Sequence, residues 1–105
     1  MPDHIEIGFH GDAMTKSERL IVDRYSESAI AELSVSVFNN STDAEIRYEV
    51  VDAYTGRIIK QGMVKPNDNT FSVVQVRRGE YFIQGKRYDH EKNTVKGSVS
   101  LSIIQ

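Results

Sequence analysis

The chain has 105 residues, a formal net charge of −2 and no cysteine. Disulfides, thiolate chemistry and cysteine-ligated metals are therefore excluded, and the near-neutral balance gives no electrostatic case for nucleic acid or an anionic membrane. With 39% hydrophobic and 27% charged residues, the composition is that of a soluble globule rather than a disordered tail, and the length suits a single domain over residues 1–105.

The first predicted strand runs from His4 to Phe9, with Ile5, Ile7 and Phe9 on one side. Residues 11–17 read as a loop loosened by glycine. A second strand covers Arg19 to Tyr25, with Leu20 and Val22 on one face, and Ser26-Glu27-Ser28 makes a turn. Ile30 to Phe38 follows, Leu33, Val35 and Val37 facing inward and Ser34 and Ser36 outward. The polar knot Asn39-Asn40-Ser41-Thr42-Asp43 ends it, because Asn and Asp side chains bond their own backbone and tolerate left-handed geometry.

Glu45 to Tyr54 is the next strand, with Ile46, Tyr48 and Val50 inward. Val51 breaks the alternation, which indicates a bulge or an outward-facing residue. Thr55-Gly56 fits a hairpin turn, and Arg57 to Val64 returns. Lys65 to Asn69, with Pro66 inside, is a loop. Phe71 to Val76 and Glu80 to Tyr88 are strands joined by Arg77-Arg78-Gly79, and Asp89 to Asn93 is a charged loop. The last strand, Thr94 to Ile104, alternates Val99, Leu101 and Ile103 with Ser98, Ser100 and Ser102.

About eight short strands at roughly ten-residue spacing, with polar turns between them, indicate an all-β sandwich. The expected fold is an immunoglobulin-like, Greek-key β-sandwich of about seven or eight strands. Tyr81, two residues after Gly79, is placed to form a tyrosine corner, its phenol bonding back to an upstream backbone group. The longest apolar run falls far short of the roughly 20 residues of a membrane span, so no membrane insertion is expected. Met1-Pro2-Asp3-His4 has neither the basic start nor the apolar core of a signal peptide; an exported form would have lost its signal beforehand.

Candidate chemistry is sparse. His4, His10 and His90 are the only imidazoles. His10 with Asp12, and Asp89-His90-Glu91, lack recognised metal-ligand spacing, so they read as solvated loop residues and no metal or other cofactor is expected. No Gly-x-Ser-x-Gly elbow marks a catalytic serine. Glu45 and Glu49 flank Arg47 as surface charges. Asn39 and Asn40 head overlapping glycosylation sequons that read as a polar turn. Arg77-Arg78 and Lys86-Arg87 are basic doublets beside Glu80 and Asp89, and read as solvated turns. The chain is not expected to be an enzyme.

The most suggestive feature is an outer sheet face. If Tyr81 and Ile83 point inward, Phe82 points outward, and Arg47 and Val51 join it from the Glu45–Tyr54 strand. An immunoglobulin-type sheet would set these two strands beside the serine row of the last strand. The candidate binding residues are therefore Phe82, Arg47 and Val51. The first and last strands are the natural edges, so a homo-oligomer is expected to form through a sheet edge or face.

Tyr54 to Val64 together with Asn69 to Gln84 resembles a recurring module of Bacteroidetes exported proteins. It shares a hairpin around Thr55-Gly56 and a Gly-x-Tyr opening, Gly79-Glu80-Tyr81, of a late strand. The whole chain resembles a family of small secreted β-sandwich proteins of gut Bacteroidetes with no assigned activity. The counterparts are Ile5 to Gly11, Lys16 to Arg19 and Gly97 to Leu101. The resemblance implies an immunoglobulin-like fold and an extracytoplasmic location: periplasm, cell surface or secreted. In larger proteins the related module serves as a secretion signal. The expected function is a non-enzymatic exported binding or structural module with a protein or glycan partner. The alternative is an accessory secretion or attachment domain of a larger exported assembly.

Overall fold

A computed structural model of the chain describes residues 4–11, 16–22, 30–42, 44–86 and 95–104, with only the backbone at 9–11, 86 and 95. The strands are β1 (His4–Gly11), β2 (Leu20–Val22), β3 (Ile30–Asn39), β4 (Ile46–Asp52), β5 (Ile58–Val64), β6 (Asn69–Arg77), β7 (Gly79–Lys86) and β8 (Val95–Ile104). They form two four-stranded sheets, β1-β8-β3-β6 and β2-β7-β4-β5, and every pairing is antiparallel. The molecule is an all-β Greek-key sandwich. Its strand order interleaves early and late strands in both sheets, which is the double Greek key of a jelly roll.

Alternation builds both layers. In β3 the buried apolar residues are Ala31, Leu33, Val35 and Val37, and in β8 they are Val99 and Leu101. These side chains meet Leu20, Ile46, Tyr48, Val50, Tyr81 and Ile83 from the second sheet in one core. Each such aliphatic or aromatic residue stabilises the fold by about 1.5–3 kcal/mol when fully buried. Ser98, Ser100 and Ser102 face outward, as their spacing predicts.

Local signals are realised in detail. The β4–β5 hairpin turns at Gly56, whose φ of 75° suits glycine. Asp52 Oδ1 accepts the amide N–H groups of Tyr54 and Thr55. The ladder slips between Val50 and Val51, the bulge that the broken alternation predicts. Tyr81 Oη donates to the Arg77 carbonyl at 2.8 Å, forming the tyrosine corner. Gly97 has a φ of 155°, and a Cβ there would lie 2.1 Å from the Phe38 carbonyl oxygen.

Long-range placement departs from expectation in three ways. The last strand, β8, is not an edge: it lies between β1 and β3. It is also not beside β4 and β7, which pair with each other in the opposite sheet, so Phe82 does not adjoin the serine row. The cause is the jelly-roll crossing, in which β8 returns to pair with the first strand. Thirdly, Asn39 is not a solvated turn residue but is 2% exposed. Its Nδ2 donates to the carbonyls of Ala44 and Val64 at 2.8 and 2.9 Å, and its Oδ1 accepts the Ser41 N–H at 2.9 Å. That side chain ties the end of β3 to the end of β5, across the two sheets.

Candidate functional site

Phe82, Arg47 and Val51 all lie on the outer face of β2-β7-β4-β5. Val51 faces Phe82 on one side and Ile58 on the other. Arg47 sits at the far end of β4, opposite Met63 and Lys86. Around Val51 the face is closed by the chain itself, while Ile58 and Met63 at the β5 side are 43% and 49% exposed. Val51 is 5% exposed. Phe82 is half-buried, with Lys16 Nζ 4.3 Å from its ring centroid, a cation–π contact. Lys16 thus covers part of the Phe82 ring. Glu49 is also not a surface charge: it is 2% exposed, and its Oε1 accepts a hydrogen bond from Gln84 Nε2 at 2.6 Å.

The strands next to this face are guarded. β2 has three residues, and beyond it Ser17 continues the pairing along β7. Ser17 N donates to the Ile83 carbonyl and Ser17 Oγ accepts the Ile83 N–H, both at 2.8 Å. β5 carries Lys60 and faces the bulge. In the other sheet β1 is an edge as expected, carrying exposed His4 and Glu6, with His4 Nε2 3.7 Å from Glu6 Oε2. Charge, shortness and bulges are the usual means of blunting strand edges.

Along residues 69–76, β6 has none of these. Among the described residues it pairs only with β3. Residues 69–76 contain no charge, proline or glycine. The Asn39 N–H donates to the Asp68 carbonyl at 2.9 Å, in register with the facing pairs Val37–Thr70, Val35–Ser72 and Leu33–Val74. Bonded and non-bonded pairs alternate along an antiparallel ladder. Thr70, Ser72, Val74 and Val76 therefore turn their backbone groups toward β3. Phe71, Val73 and Gln75 turn theirs toward the open side.

The chain caps both ends of this open stretch. The Asn69 N–H donates to Asp68 Oδ1 at 2.9 Å. The Arg77 carbonyl accepts the Tyr81 phenol. Burial raises the Tyr81 pKa above its ordinary 10.0 and the Asp52 carboxylate adds to the rise, while the bond to Arg77 opposes it. The phenol thus remains a donor at neutral pH.

Beside the open edge the outer face is apolar. Phe71 is 68% exposed, and Phe38 and Val73 are each 49% exposed. Phe71 faces Ser36 across the ladder. Ser36, Phe38, Asn69, Thr70 and Phe71 line a shallow depression of about 340 Å³. Such an edge can accept an extended strand by backbone hydrogen bonding, with the flanking side chains giving it an apolar footing.

Sequence reasoning missed this edge, although the signal was present in the uncharged alternation from Asn69 to Val76. Of the histidines, His4 Nδ1 lies 2.6 Å from Ser102 Oγ. The His10 ring, Asp12 and the Asp89-His90-Glu91 group lie outside the described residues, as do the turn at Ser26-Glu27-Ser28 and Arg87 of the second basic doublet. Among the described residues no group of three or more His, Asp or Glu converges as a metal site.

Several solved structures share the fold. A protein of the Bacillus endospore appendages that form disulfide-linked pili superposes with a TM-score of 0.55 and 15% identity, over 96% of this chain and 82% of that one. The pre-peptidase C-terminal domain of collagenase from Bacillus anthracis gives a TM-score of 0.62 and 16% identity, over 96% and 87%. PirA gives 0.54 and 8% identity, over 99% and 95%. At such identities the likeness concerns the fold alone. No protein-family model and no curated protein sequence matches the chain.

Proposed function

We propose that this chain is a non-enzymatic structural or attachment module of an exported assembly, and that it works by accepting an extended protein strand at the β6 edge. The observation that carries the reading is the open run Phe71–Val73–Gln75. Its backbone groups point outward beside exposed Phe71 and Phe38, while the other edges are short, bulged or charged. A protein strand suits this site better than a glycan, because backbone amides and carbonyls in strand register are what the edge offers.

Two neighbours in fold support the setting: one belongs to an appendage pilus and the other is a collagenase domain. The resemblance to secreted Bacteroidetes sandwich proteins points to the same extracytoplasmic location. A role as the attachment domain of a larger exported protein uses the same edge and is included in the reading.

The test is titration of the labelled chain with a synthetic peptide of the β6 sequence, residues 69–77, followed by NMR. The expected result is saturable shift changes at the amides of Phe71, Val73 and Gln75, abolished in Val73→Pro. Proline is tolerated on an edge strand where the missing N–H faced outward. No response at β6, or a response confined to the Phe82 face, would contradict the proposal.

A further inference from the structure

We propose that the strand accepted at β6 is the β6 strand of a second copy of this chain, paired antiparallel about a two-fold axis at Val73. The inference rests on the reading of β6 as an accepting edge and names its occupant.

Register leads to this arrangement. Among the described residues, positions 71, 73 and 75 have both outward backbone groups unbonded, whereas the Asn69 N–H and the Arg77 carbonyl are held by the chain's own bonds. A two-fold pairing must set outward-facing residues against outward-facing residues, so its axis falls on a residue and not between two. A shift of one residue would oppose bonded to unbonded positions and turn every side chain to the wrong face. The uncapped stretch is centred on Val73, and the caps stand symmetrically at either end of it. An axis at Ser72 would set Gln75 against the capped Asn69, and one at Val74 would set Phe71 against the capped Arg77, whereas an axis at Val73 pairs all three open residues with one another.

The side chains agree with that register. Val73 faces its symmetry mate, Phe71 faces Gln75 of the other copy, and Asn69 faces Arg77. The strand's one charge, Arg77, thus meets a neutral amide, and no like charges are opposed. Each facing pair among Val73, Phe71 and Gln75 exchanges both backbone hydrogen bonds. The β1-β8-β3-β6 sheet continues into its mate, and exposed Phe71 and Val73 become cross-strand and diagonal neighbours. The other edges of a second copy are poorer mates: β1 brings Glu6 and β5 brings Lys60 and the bulge. A self-complementary patch closed by a two-fold axis is the commonest form of oligomer.

The experiment uses the full chain. Sedimentation velocity over rising concentration should show a monomer–dimer equilibrium, and Val73→Pro should remain a folded monomer. Val73→Lys, which keeps the backbone donor but sets two ammonium groups face to face, should also lose the dimer; it serves if the proline variant does not fold. The chain has no cysteine, so an introduced thiol is unique. Residues in a bonded antiparallel pair have Cα atoms about 5.5 Å apart, within disulfide range. Val73→Cys should therefore oxidise to a covalent dimer. Phe71→Cys and Gln75→Cys should each stay monomeric alone and cross-link when mixed.

Self-linking of Phe71→Cys in preference to Val73→Cys would overturn the register. A dimer persisting in both Val73→Lys and Val73→Pro would overturn the interface. A chain that stays monomeric yet binds the residue 69–77 peptide would overturn the second-copy proposal and leave the accepting edge standing. A chain that does neither would overturn both.

Discussion

Tyr81 does two things from one position. Its ring packs in the core at 4% exposure, and its hydroxyl caps the Arg77 carbonyl at the end of β6. The neutral phenol is the form that the fold prefers, since burial, followed by the Asp52 carboxylate, raises its pKa above 10.0. A group whose folded pKa is raised contributes stability below its unfolded pKa, and that contribution is lost as pH rises through the folded value. Tyr48, raised chiefly by burial, acts in the same direction. Tyr81→Phe should therefore lower stability at neutral pH by about 1 kcal/mol, the net worth of a typical hydrogen bond. It should also reduce the alkaline loss of stability above pH 10. Urea melts at pH 7 and at pH 10–11 check both; an unchanged alkaline loss in the variant would contradict the assignment. Asn39 shows the opposite relation between sequence and role. Polar and turn-like on paper, it is buried because three backbone partners from separate segments meet its amide. The sequence could not show that convergence.

At the scale of elements, period-two alternation carries most of the information. It assigns the two faces of β8 correctly, so Leu101→Ala should cost about 2–5 kcal/mol through lost burial and a residual cavity. Ser100→Ala, on the outer face, should fall within about 0.5 kcal/mol of the parent protein. Chemical denaturation of the two variants measures the difference, and equal losses would mean that the faces are exchanged. The hairpin at Gly56, the slip at Val51 and the tyrosine corner were legible for the same reason: each depends on residues close in sequence. Partner choice does not. β8 pairs with β1 from the other end of the chain, and nothing in Val95 to Ile104 encodes that. The burial of Glu49 was equally illegible. It depends on its neighbours across the strands, Gln61 and Gln84, and on a face that closes over Val51 and Phe82. A reading confined to β4 sees only a charge at an outward position.

At the scale of the molecule, the jelly-roll order decides which strands are edges and therefore where the sandwich can join another chain. It puts β8 inside, leaving β1 and β6 to bound one sheet and β2 and β5 the other. Three of these edges carry a visible guard, and among the described residues β6 carries none along 69–76. The candidate site is thus a property of topology acting on a sequence segment that is unremarkable by itself. Residues 69–76 would be harmless in a central strand. The central claim is that β6 presents every second backbone group to the outside. Residue-resolved amide hydrogen exchange on the dilute chain tests it most directly. Slow exchange is expected at Thr70, Ser72, Val74 and Val76, and fast exchange at Phe71, Val73 and Gln75, with those three becoming protected as concentration rises. Uniform protection along β6 in the dilute monomer, or protection on the odd-numbered residues instead, would contradict the account.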